Sequence, residues 1–310
     1  MGPRAARSSI VATSRVLVAV PADDSEPGGE IAASYSMIPR RFWIDGSERL
    51  GALSLDTLTT PRWRKRGLFT HLARESYSLA AGEGLDFVYG FPNPNSIHGF
   101  VKHLGWKLLP SPEILVNVRP LEWAVGWLRA GSQTERRGAG RARILPEADE
   151  RLDDLWRRSR GRICIGAVRD AAFFRWRLAR PATRYRLAVA ESDDGTVLAA
   201  CVTVVFPRPE GPRGYLVDLL APEGEDATLA WLIRFATSRL VREDRVKLIQ
   251  AAISPSSPWL PCLRSAGFRP APSRLRTEMK FGWCPLSRDL LEVGDTSGRW
   301  HATYADSDTA

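Results

Sequence analysis

The chain is 310 residues long, which is enough for two domains of ordinary size. Apolar residues make up 44% and charged residues 25%, which are the proportions of a globular protein and not of a disordered chain. The formal net charge of +9 favours an anionic ligand such as a nucleotide cofactor, a nucleic acid or a membrane surface. No apolar run reaches the roughly 18 residues of a membrane-spanning helix, and the apolar segment 10–20 is a predicted strand, not a signal peptide.

The cysteine and histidine patterns predict neither disulfide bonds nor a metal site. The four cysteines are scattered without a C-x-x-C pair, which is typical of reduced thiols in a cytoplasmic protein. The four histidines show no ligand spacing, so we expect no metal.

The first part of the chain predicts an antiparallel meander followed by helices alternating with strands. Asp45-Gly46 is a signal for a two-residue hairpin turn, and Gly82, Gly84 and Gly105 end predicted helices. The predicted strands are 10–20, 30–39, 50–60, 85–91 and 113–118. The predicted helices are 67–81, 93–104 and 121–128.

A short basic turn joins the third of these strands to the first helix. It contains Arg64, Lys65, Arg66 and Gly67. Backbone N–H groups in the first turn of a helix have no partner inside the helix, and together with the helix dipole they attract anions. The residues alone therefore predict a phosphate or pyrophosphate site at this turn, in preference to a solvated basic loop.

Residues 130–145 read as a linker, because they are rich in Gly, Arg, Ser and Thr without an apolar pattern. The element order of the first part then repeats, which predicts an internal duplication at domain scale. Leu104-Gly105-Trp106 and Ala266-Gly267-Phe268 hold equivalent places in the two copies. The second copy has acidic residues where the first has the basic turn. Its predicted strands are 185–191, 197–206, 214–220, 246–253 and 275–283, and its predicted helices are 147–158, one containing 173–177, 226–241 and 258–266.

Residues 64–69, Arg-Lys-Arg-Gly-Leu-Phe, resemble the Arg/Gln-x-x-Gly-x-Gly/Ala motif of the GCN5-related N-acetyltransferases (GNAT proteins). The resemblance extends over about residues 16–118. It departs from the family at Phe69, where a small residue is usual, and few residues precede the meander, where the family normally has a strand and two helices. Acetyl-CoA is the cofactor that the resemblance implies. The cofactor-binding residues that it implies are Leu58, Thr59, Thr60, Arg64, Lys65, Arg66, Gly67, Leu68, Phe69, Thr70 and Asn95.

The resemblance also suggests two catalytic residues. Asp56, four residues before the end of the strand, is the candidate base that takes the amine proton. Family members usually place a tyrosine on the late helix as proton donor, but this chain has Phe100-Val101 there. His98 is therefore the candidate donor, and His103 and solvent are the alternatives.

These observations predict an α+β protein with two GNAT-like domains, each a mostly antiparallel sheet flanked by helices. The predicted ranges are 1–129 for an N-terminally short acyl-CoA-binding domain, 130–145 for the linker, 146–285 for a degenerate second domain and 286–310 for a C-terminal tail. The predicted activity is transfer of an acetyl group from acetyl-CoA to a primary amine of a small-molecule acceptor. We expect no nucleic-acid partner, and the sequence sets no oligomeric state. The alternatives are a non-catalytic acyl-CoA-binding scaffold and a Fem-type transferase that uses aminoacyl-tRNA.

Overall fold

The structure is a computed structural model, and it describes residues 14–20, 31–118, 134–137, 140–180, 183–276, 278–291 and 296–307. The contacts divide the chain into two compact units, each made from separate stretches of sequence. Unit 1 comprises Met1–Arg40, Leu50–Leu108 and Gly282–Val293. Unit 2 comprises Arg41–Arg49, Leu109–Phe281 and Gly294–Ala310.

The described strands, β1 to β15 in chain order, are Arg15–Ala19, Ala33–Ile44, Ser47–Thr59, Phe87–Gly90, Lys107–Leu109, Glu113–Val118, Thr134–Arg137, Gly140–Leu145, Ile165–Ala167, Arg186–Ser192, Val197–Phe206, Arg213–Leu220, Leu248–Ile253, Arg269–Pro270 and Phe281–Pro285. The described α-helices, α1 to α7, are Leu68–Gly82, Ile97–Leu104, Arg151–Ser159, Ala171–Leu178, Asp226–Asp244, Leu260–Ser265 and Arg288–Leu291.

The first sheet has the strand order β1-β2-β3-β4-β15-β5, and β9 also pairs with β2. The predicted hairpin turn joins β2 to β3, and both of its residues, Asp45 and Gly46, have positive φ, as a type I′ turn requires. Buried residues recur on one face of α1, which packs on this sheet with α2: they are Leu72, Ala73, Ser76, Tyr77 and Ala80. The pair β3–β4 is parallel and is joined through α1.

The second sheet has the order β14-β6-β13-β12-β11-β10-β8-β7. Its pair β12–β13 is parallel and is joined through α5, whereas the other pairs are antiparallel. Both sheets are thus mostly antiparallel and flanked by helices, so the predicted α+β fold with two such sheets is confirmed. Each sheet has one parallel β-α-β element near its middle.

The last strand predicted for each half of the chain belongs to the other sheet. Strand β6, predicted to close the first half, pairs with β13 and β14 in unit 2. Strand β15, predicted to close the second half, pairs with β4 in unit 1. The expected closing strand 275–283 is wrong in its start as well, because residues 273–275 form a short 3-10 helix and β15 begins at Phe281. The ranges 1–129 and 146–285 stay predictions as domain boundaries.

Part of the predicted linker is regular structure. Residues 134–137 and 140–145 form the antiparallel strands β7 and β8, and β8 also pairs with β10. The alternation that places Ala142 and Leu145 in the core is short and interrupted by arginines, which hides it in the sequence. The predicted helix 121–128 lies outside the described residues.

Residues 301–307, within the predicted C-terminal tail, are buried in unit 2. The backbone N–H of Ser254 donates to the carbonyl of Ala302, and a bridge joins Ile253 to Thr303. Among the described residues, no helix is both long and apolar enough to span a membrane.

Candidate functional site

Strand β3 leads into α1 through a compact turn, residues 61–67, which we call the cofactor turn. Pro61–Trp63 form one turn of 3-10 helix, and Gly67 is the N-cap of α1. Lys65 has a φ of 62° and Gly67 a φ of 76°. Left-handed residues spaced in this way direct successive backbone N–H groups into one concave surface, which is a common anion-binding arrangement.

The backbone N–H groups of residues 65–70, which we call the amide row, have no acceptor among the described residues. The first bond of the helix is donated by His71 to the carbonyl of Gly67, and the bond before it is donated by Arg64 to Pro61. No side chain caps the helix, and its first turn holds no acidic residue. Six consecutive donors therefore lack an acceptor in the described part of the chain, at the positive end of a helix of 15 residues.

Three side chains of the cofactor turn add positive charge beside these N–H groups. Arg64, Lys65 and Arg66 are exposed and form no ion pair with a described carboxylate. The guanidinium of Arg66 lies 4.6 Å from the ring centroid of Trp63, and Arg64 Nε donates to the carbonyl of Thr59 at 3.3 Å. The turn is thus a cationic surface beside the amide row, which suits a diphosphate better than a single carboxylate.

Strands β3 and β4 part before β3 ends. Their last paired residues are Ser54 and Gly90, and we call this point the fork. Strand β3 continues to Thr59, but the described part of β4 ends at Gly90. Asp56 lies just beyond the fork with a φ of 47°, a conformation that breaks the pleat and is typical of a bulge. Residues 55–59 therefore present a strand edge that β4 does not cover.

Phe69, the residue that departs from the motif, points into the core of unit 1. The centroid of its ring lies 5.0 Å from the ring centroid of Phe100 and 6.0 Å from that of Tyr35. A Cβ placed on Gly99 would lie only 2.9 Å from Cε1 of Phe69, so α2 has a glycine where the ring approaches. The large side chain is accommodated by the core and leaves the backbone of the amide row uncovered.

The structure places the two predicted catalytic residues on separate elements. Asp56 is exposed at the bulge of β3, and His98 is exposed on α2 with its ring 6.1 Å from that of His103. Asn95 lies just before α2, where its backbone N–H donates to Asn93 Oδ1 at 2.9 Å.

The remaining predicted cofactor residues continue from β3 into α1. Leu58 is exposed, while the N–H and hydroxyl of Thr60 both donate to the carbonyl of Ala32. Leu68 packs partly against the core. The structure thus brings the residues of β3, the turn and α1 together along one continuous stretch.

A buried chain of polar groups lies under the fork, and the sequence reasoning missed it. Trp106 Nε1 donates to the Tyr77 hydroxyl at 2.8 Å. The hydroxyl oxygens of Tyr77 and Tyr35 are 2.8 Å apart, and the Tyr35 hydroxyl oxygen is 2.7 Å from Ser54 Oγ. We call these four groups the hydroxyl chain. Burial raises the pKa of both tyrosines, so both are neutral phenols. One signal in the sequence was available, since Tyr35 and Tyr77 fall on the buried faces of their elements, where a hydroxyl needs a partner.

In unit 2, the turn between β12 and α5 holds the same place in a parallel β-α-β element as the cofactor turn does in unit 1. A side chain of unit 2 occupies it. Arg162 Nη1 donates to the carbonyl of Pro222 at 3.0 Å and to Asp226 Oδ1 at 2.8 Å. Helix α5 has Asp226 in its first turn, where α1 has no acid. This turn presents carbonyls and a carboxylate to a cation, the opposite of the cofactor turn.

Comparison with known proteins identifies the domain that carries the cofactor turn. Residues 3–109 match the sequence model described as acetyltransferase (GNAT) domain. No curated protein matches the chain significantly.

Three solved structures share the fold over most of the chain. A GCN5-related N-acetyltransferase from Anabaena variabilis aligns with a TM-score of 0.57 at 9% identity, covering 83% of this chain and 61% of that protein. A tandem GNAT protein from the clavulanic acid biosynthesis pathway aligns with a TM-score of 0.53 at 14% identity, covering 84% and 81%. An N-myristoyltransferase from Saccharomyces cerevisiae, with bound myristoyl-CoA, aligns with a TM-score of 0.54 at 11% identity, covering 83% and 67%.

The chain thus spans less than two thirds of the Anabaena protein's length. The identities are low, so these alignments show a shared fold. Residues 3–109 therefore match the GNAT domain model, and the chain shares its fold with GCN5-related N-acetyltransferases, a tandem GNAT protein among them.

Proposed function

We propose that the protein is an acyl-CoA-dependent N-acyltransferase that moves an acetyl group from acetyl-CoA to a primary amine of a small molecule. The observation that carries this proposal is the amide row, because six consecutive N–H groups with no acceptor among the described residues, in a cationic turn, suit an anionic ligand of more than one phosphate. Coenzyme A has such a diphosphate. The bound myristoyl-CoA of the yeast N-myristoyltransferase supports an acyl-CoA ligand for this fold.

The uncovered edge of β3 supports a path for the rest of the cofactor. From a diphosphate on the amide row, the pantetheine arm runs along residues 55–59 toward the fork. The arm contains two amide groups, which can bond to the uncovered edge of β3 as an added strand would. Five residues of strand span about 16 Å, so the arm has an extended surface along which to lie.

The proposed reaction is direct attack on the thioester. The neutral amine forms a bond to the carbonyl carbon, the carbon–sulfur bond breaks, and coenzyme A leaves as a thiolate. We assign Asp56 as the base that takes the amine proton, directly or through water, because its carboxylate is exposed beside the proposed arm. His98 on α2, or solvent, returns a proton to the thiolate.

A thiol-release assay across a panel of primary amines tests this activity. With acetyl-CoA, wild type releases free thiol only when a suitable amine is present. Asp56→Asn lowers kcat at least about tenfold, while the dissociation constant of acetyl-CoA stays within about twofold. Asp45→Asn is the matched control, because Asp45 is in the turn between β2 and β3, before the first residue of β3, and it leaves kcat unchanged.

Two results would redirect the proposal. Binding of acetyl-CoA without thiol release from any amine or acyl donor would favour the acyl-CoA-binding scaffold. Transfer that depends on aminoacyl-tRNA and ignores acyl-CoA would favour the Fem-type alternative.

A further inference from the structure

The hydroxyl chain has one more hydrogen than it has partners. Trp106 Nε1, Tyr77, Tyr35 and Ser54 each carry one polar hydrogen, and three contacts of 2.7–2.8 Å join them. The indole N–H can only donate, so the oxygen of Tyr77 accepts from it. Each of the other two contacts uses one hydroxyl hydrogen, and one hydrogen is therefore left without an acceptor in the chain.

The position of the spare hydrogen follows from burial and from the fork. Tyr77 and Tyr35 are packed in the core of unit 1, where a spare hydrogen has no route to a ligand. When Tyr77 donates to Tyr35 and Tyr35 to Ser54, the spare hydrogen is on Ser54. A buried donor without an acceptor costs free energy, and the cost is removed only where a ligand or water can reach it. Ser54 is only 8% exposed, and it is the member of the chain that lies at the fork.

Gly90, the partner of Ser54 on β4, packs directly against Ser54 and Trp106. A Cβ on Gly90 would lie 2.9 Å from the carbonyl oxygen of Ser54 and 3.3 Å from Cη2 of Trp106. The contact is too close for any other residue. Beyond this last pair, residues 55–59 have no partner on β4, and the proposed pantetheine arm that runs along them brings its thioester to Ser54.

We propose that the Ser54 hydroxyl donates a hydrogen bond to the thioester carbonyl oxygen of the bound acyl-CoA, with Trp106, Tyr77 and Tyr35 fixing its direction. This inference rests on the proposed function. Negative charge develops on that oxygen when the amine attacks, and a donor fixed in a buried site stabilises it. Ser54 keeps its proton throughout, so no bond to Ser54 forms or breaks. Burial raises the pKa of Tyr35 and Tyr77, so both phenols in the chain stay neutral.

The test is isotope-edited infrared spectroscopy with acetyl-CoA labelled with ¹³C at the carbonyl. It needs no acceptor amine. In wild type, the carbonyl band of the bound cofactor moves to lower wavenumber than in free acetyl-CoA. Ser54→Ala loses most of this shift, and Ser54→Cys, which keeps the volume but donates weakly, retains a small part of it. Calorimetry on the same samples shows dissociation constants within about threefold of each other, because one neutral hydrogen bond contributes little to binding of the whole cofactor.

Two further variants separate polarisation from general damage to the core. Ser76→Ala removes another buried hydroxyl of unit 1, one outside the hydroxyl chain, and leaves the carbonyl band at its wild-type position. Tyr35→Phe breaks the chain without touching Ser54, and it reduces the shift because Ser54 is no longer held in one direction. Once an acceptor is known, kcat of Ser54→Ala falls at least about tenfold with an unchanged KM for acetyl-CoA.

The failures are distinguishable. If wild type does not bind acetyl-CoA, the proposed function is wrong and this inference falls with it. If wild type binds acetyl-CoA but the carbonyl band is the same in wild type and Ser54→Ala, the proposed function stands and the role of Ser54 is overturned.

Discussion

Phe69 shows how a single residue can depart from a motif without changing what the motif does. The family pattern implies a small residue there, which raised the question of whether α1 can approach a cofactor. The ring instead packs in the core against Tyr35, Phe100 and Gly99. What remains at the surface is the backbone N–H of Phe69, and it is this group that the amide row uses.

The contact between Phe69 and Gly99 predicts that substitutions of the two residues have non-additive effects on the free energy of unfolding. Gly99→Ala places a Cβ 2.9 Å from the ring in wild type, but it fills space in a Phe69→Ala background. We expect Phe69→Ala alone to cost about 2–4 kcal/mol of unfolding free energy. Gly99→Ala should be at least about 1 kcal/mol more favourable in that background than in wild type. A double-mutant cycle measured by urea unfolding checks this.

Gly82→Ala gives the control cycle. Gly82 is the last residue of α1, with open space around its Cβ position, so its coupling to Phe69 should be near zero. A coupling between Phe69 and Gly99 as small as that of the control would contradict the packing described.

The hydroxyl chain could not be predicted in the same way as the amide row. The amide row follows from a local pattern, because a strand, a basic turn, a glycine and a helix are consecutive in sequence. The partners in the hydroxyl chain are 19, 42 and 29 residues apart. Their contact depends on how β2, β3 and α1 pack, and a single sequence gives only the buried face on which each residue lies.

Among the contacts between elements, one buried carboxylate links β8 and α3 to β10. Glu191 on β10 is fully buried and accepts bonds from Arg141 and Arg143 of β8 and from Arg151 of α3. Burial alone would raise the pKa of Glu191, but the bonds from Arg143 and Arg151 outweigh it and hold the pKa below its usual value. A lowered pKa in the folded state means that the carboxylate stabilises the fold at neutral pH, and that this contribution is lost as the pH falls through the folded-state pKa.

Glu191→Gln is therefore expected to destabilise the protein at neutral pH and to have a smaller effect in acid. At about pH 7 we expect a loss of about 2 kcal/mol, below the figure for a fully buried pair because the arginines are partly exposed. At about pH 3, below the ordinary pKa of a glutamate, the carboxyl of the unfolded state is protonated, so part of the ionic contribution to stability is lost and the difference should be smaller. Urea unfolding at both pH values measures it.

Glu210→Gln is the control for this pH dependence. Glu210 forms an exposed pair with Arg213, so its loss should change stability by less than about 0.5 kcal/mol at either pH. An equal loss for Glu191→Gln at both pH values would contradict an ionised Glu191.

Most elements were predicted from periodicity and turn residues, with boundaries shifted by a few residues. The hairpin turn at Asp45-Gly46 and the end of α2 at Gly105 depend on local conformation, and positive φ values occur at both. Strand β8 was missed because its core positions, Ala142 and Leu145, are separated by charged and half-buried residues. Its arginines belong there because Glu191 binds them, and that partner is about fifty residues away in sequence.

At the scale of the whole molecule, strands β6 and β15 are the main surprise. Both are apolar runs of ordinary length, and the sequence of such a run does not indicate which sheet the strand joins. The order of elements therefore suggested two consecutive domains, whereas the chain leaves unit 1 after Leu108 and returns to it at Gly282. Strand β15 brings buried Trp283 and Cys284 into that unit.

This topology predicts the behaviour of fragments. Residues 1–129 lack β15, so β4 has an unpaired edge and its core lacks Trp283 and Cys284. We expect this fragment to show no cooperative thermal unfolding and to aggregate. A chain in which residues 1–108 are joined by a flexible linker to residues 279–293 restores the strand and should unfold cooperatively. Calorimetric scans of the two chains provide the measurement, and a cooperative transition at the same temperature in both would contradict the role assigned to β15.

The central claim is that the amide row binds the diphosphate of coenzyme A, and NMR titration of ¹⁵N-labelled protein tests it most directly. Acetyl-CoA should move the amide signals of residues 65–70, because each gains an acceptor. S-acetyl-pantetheine has the same thioester arm but no diphosphate, and it should leave these signals in place. Gly67→Pro removes one donor and cannot adopt the positive φ of this residue, so it should weaken acetyl-CoA binding at least about tenfold, whereas Gly82→Ala should not. Binding of acetyl-CoA without movement of these six amide signals would contradict the account.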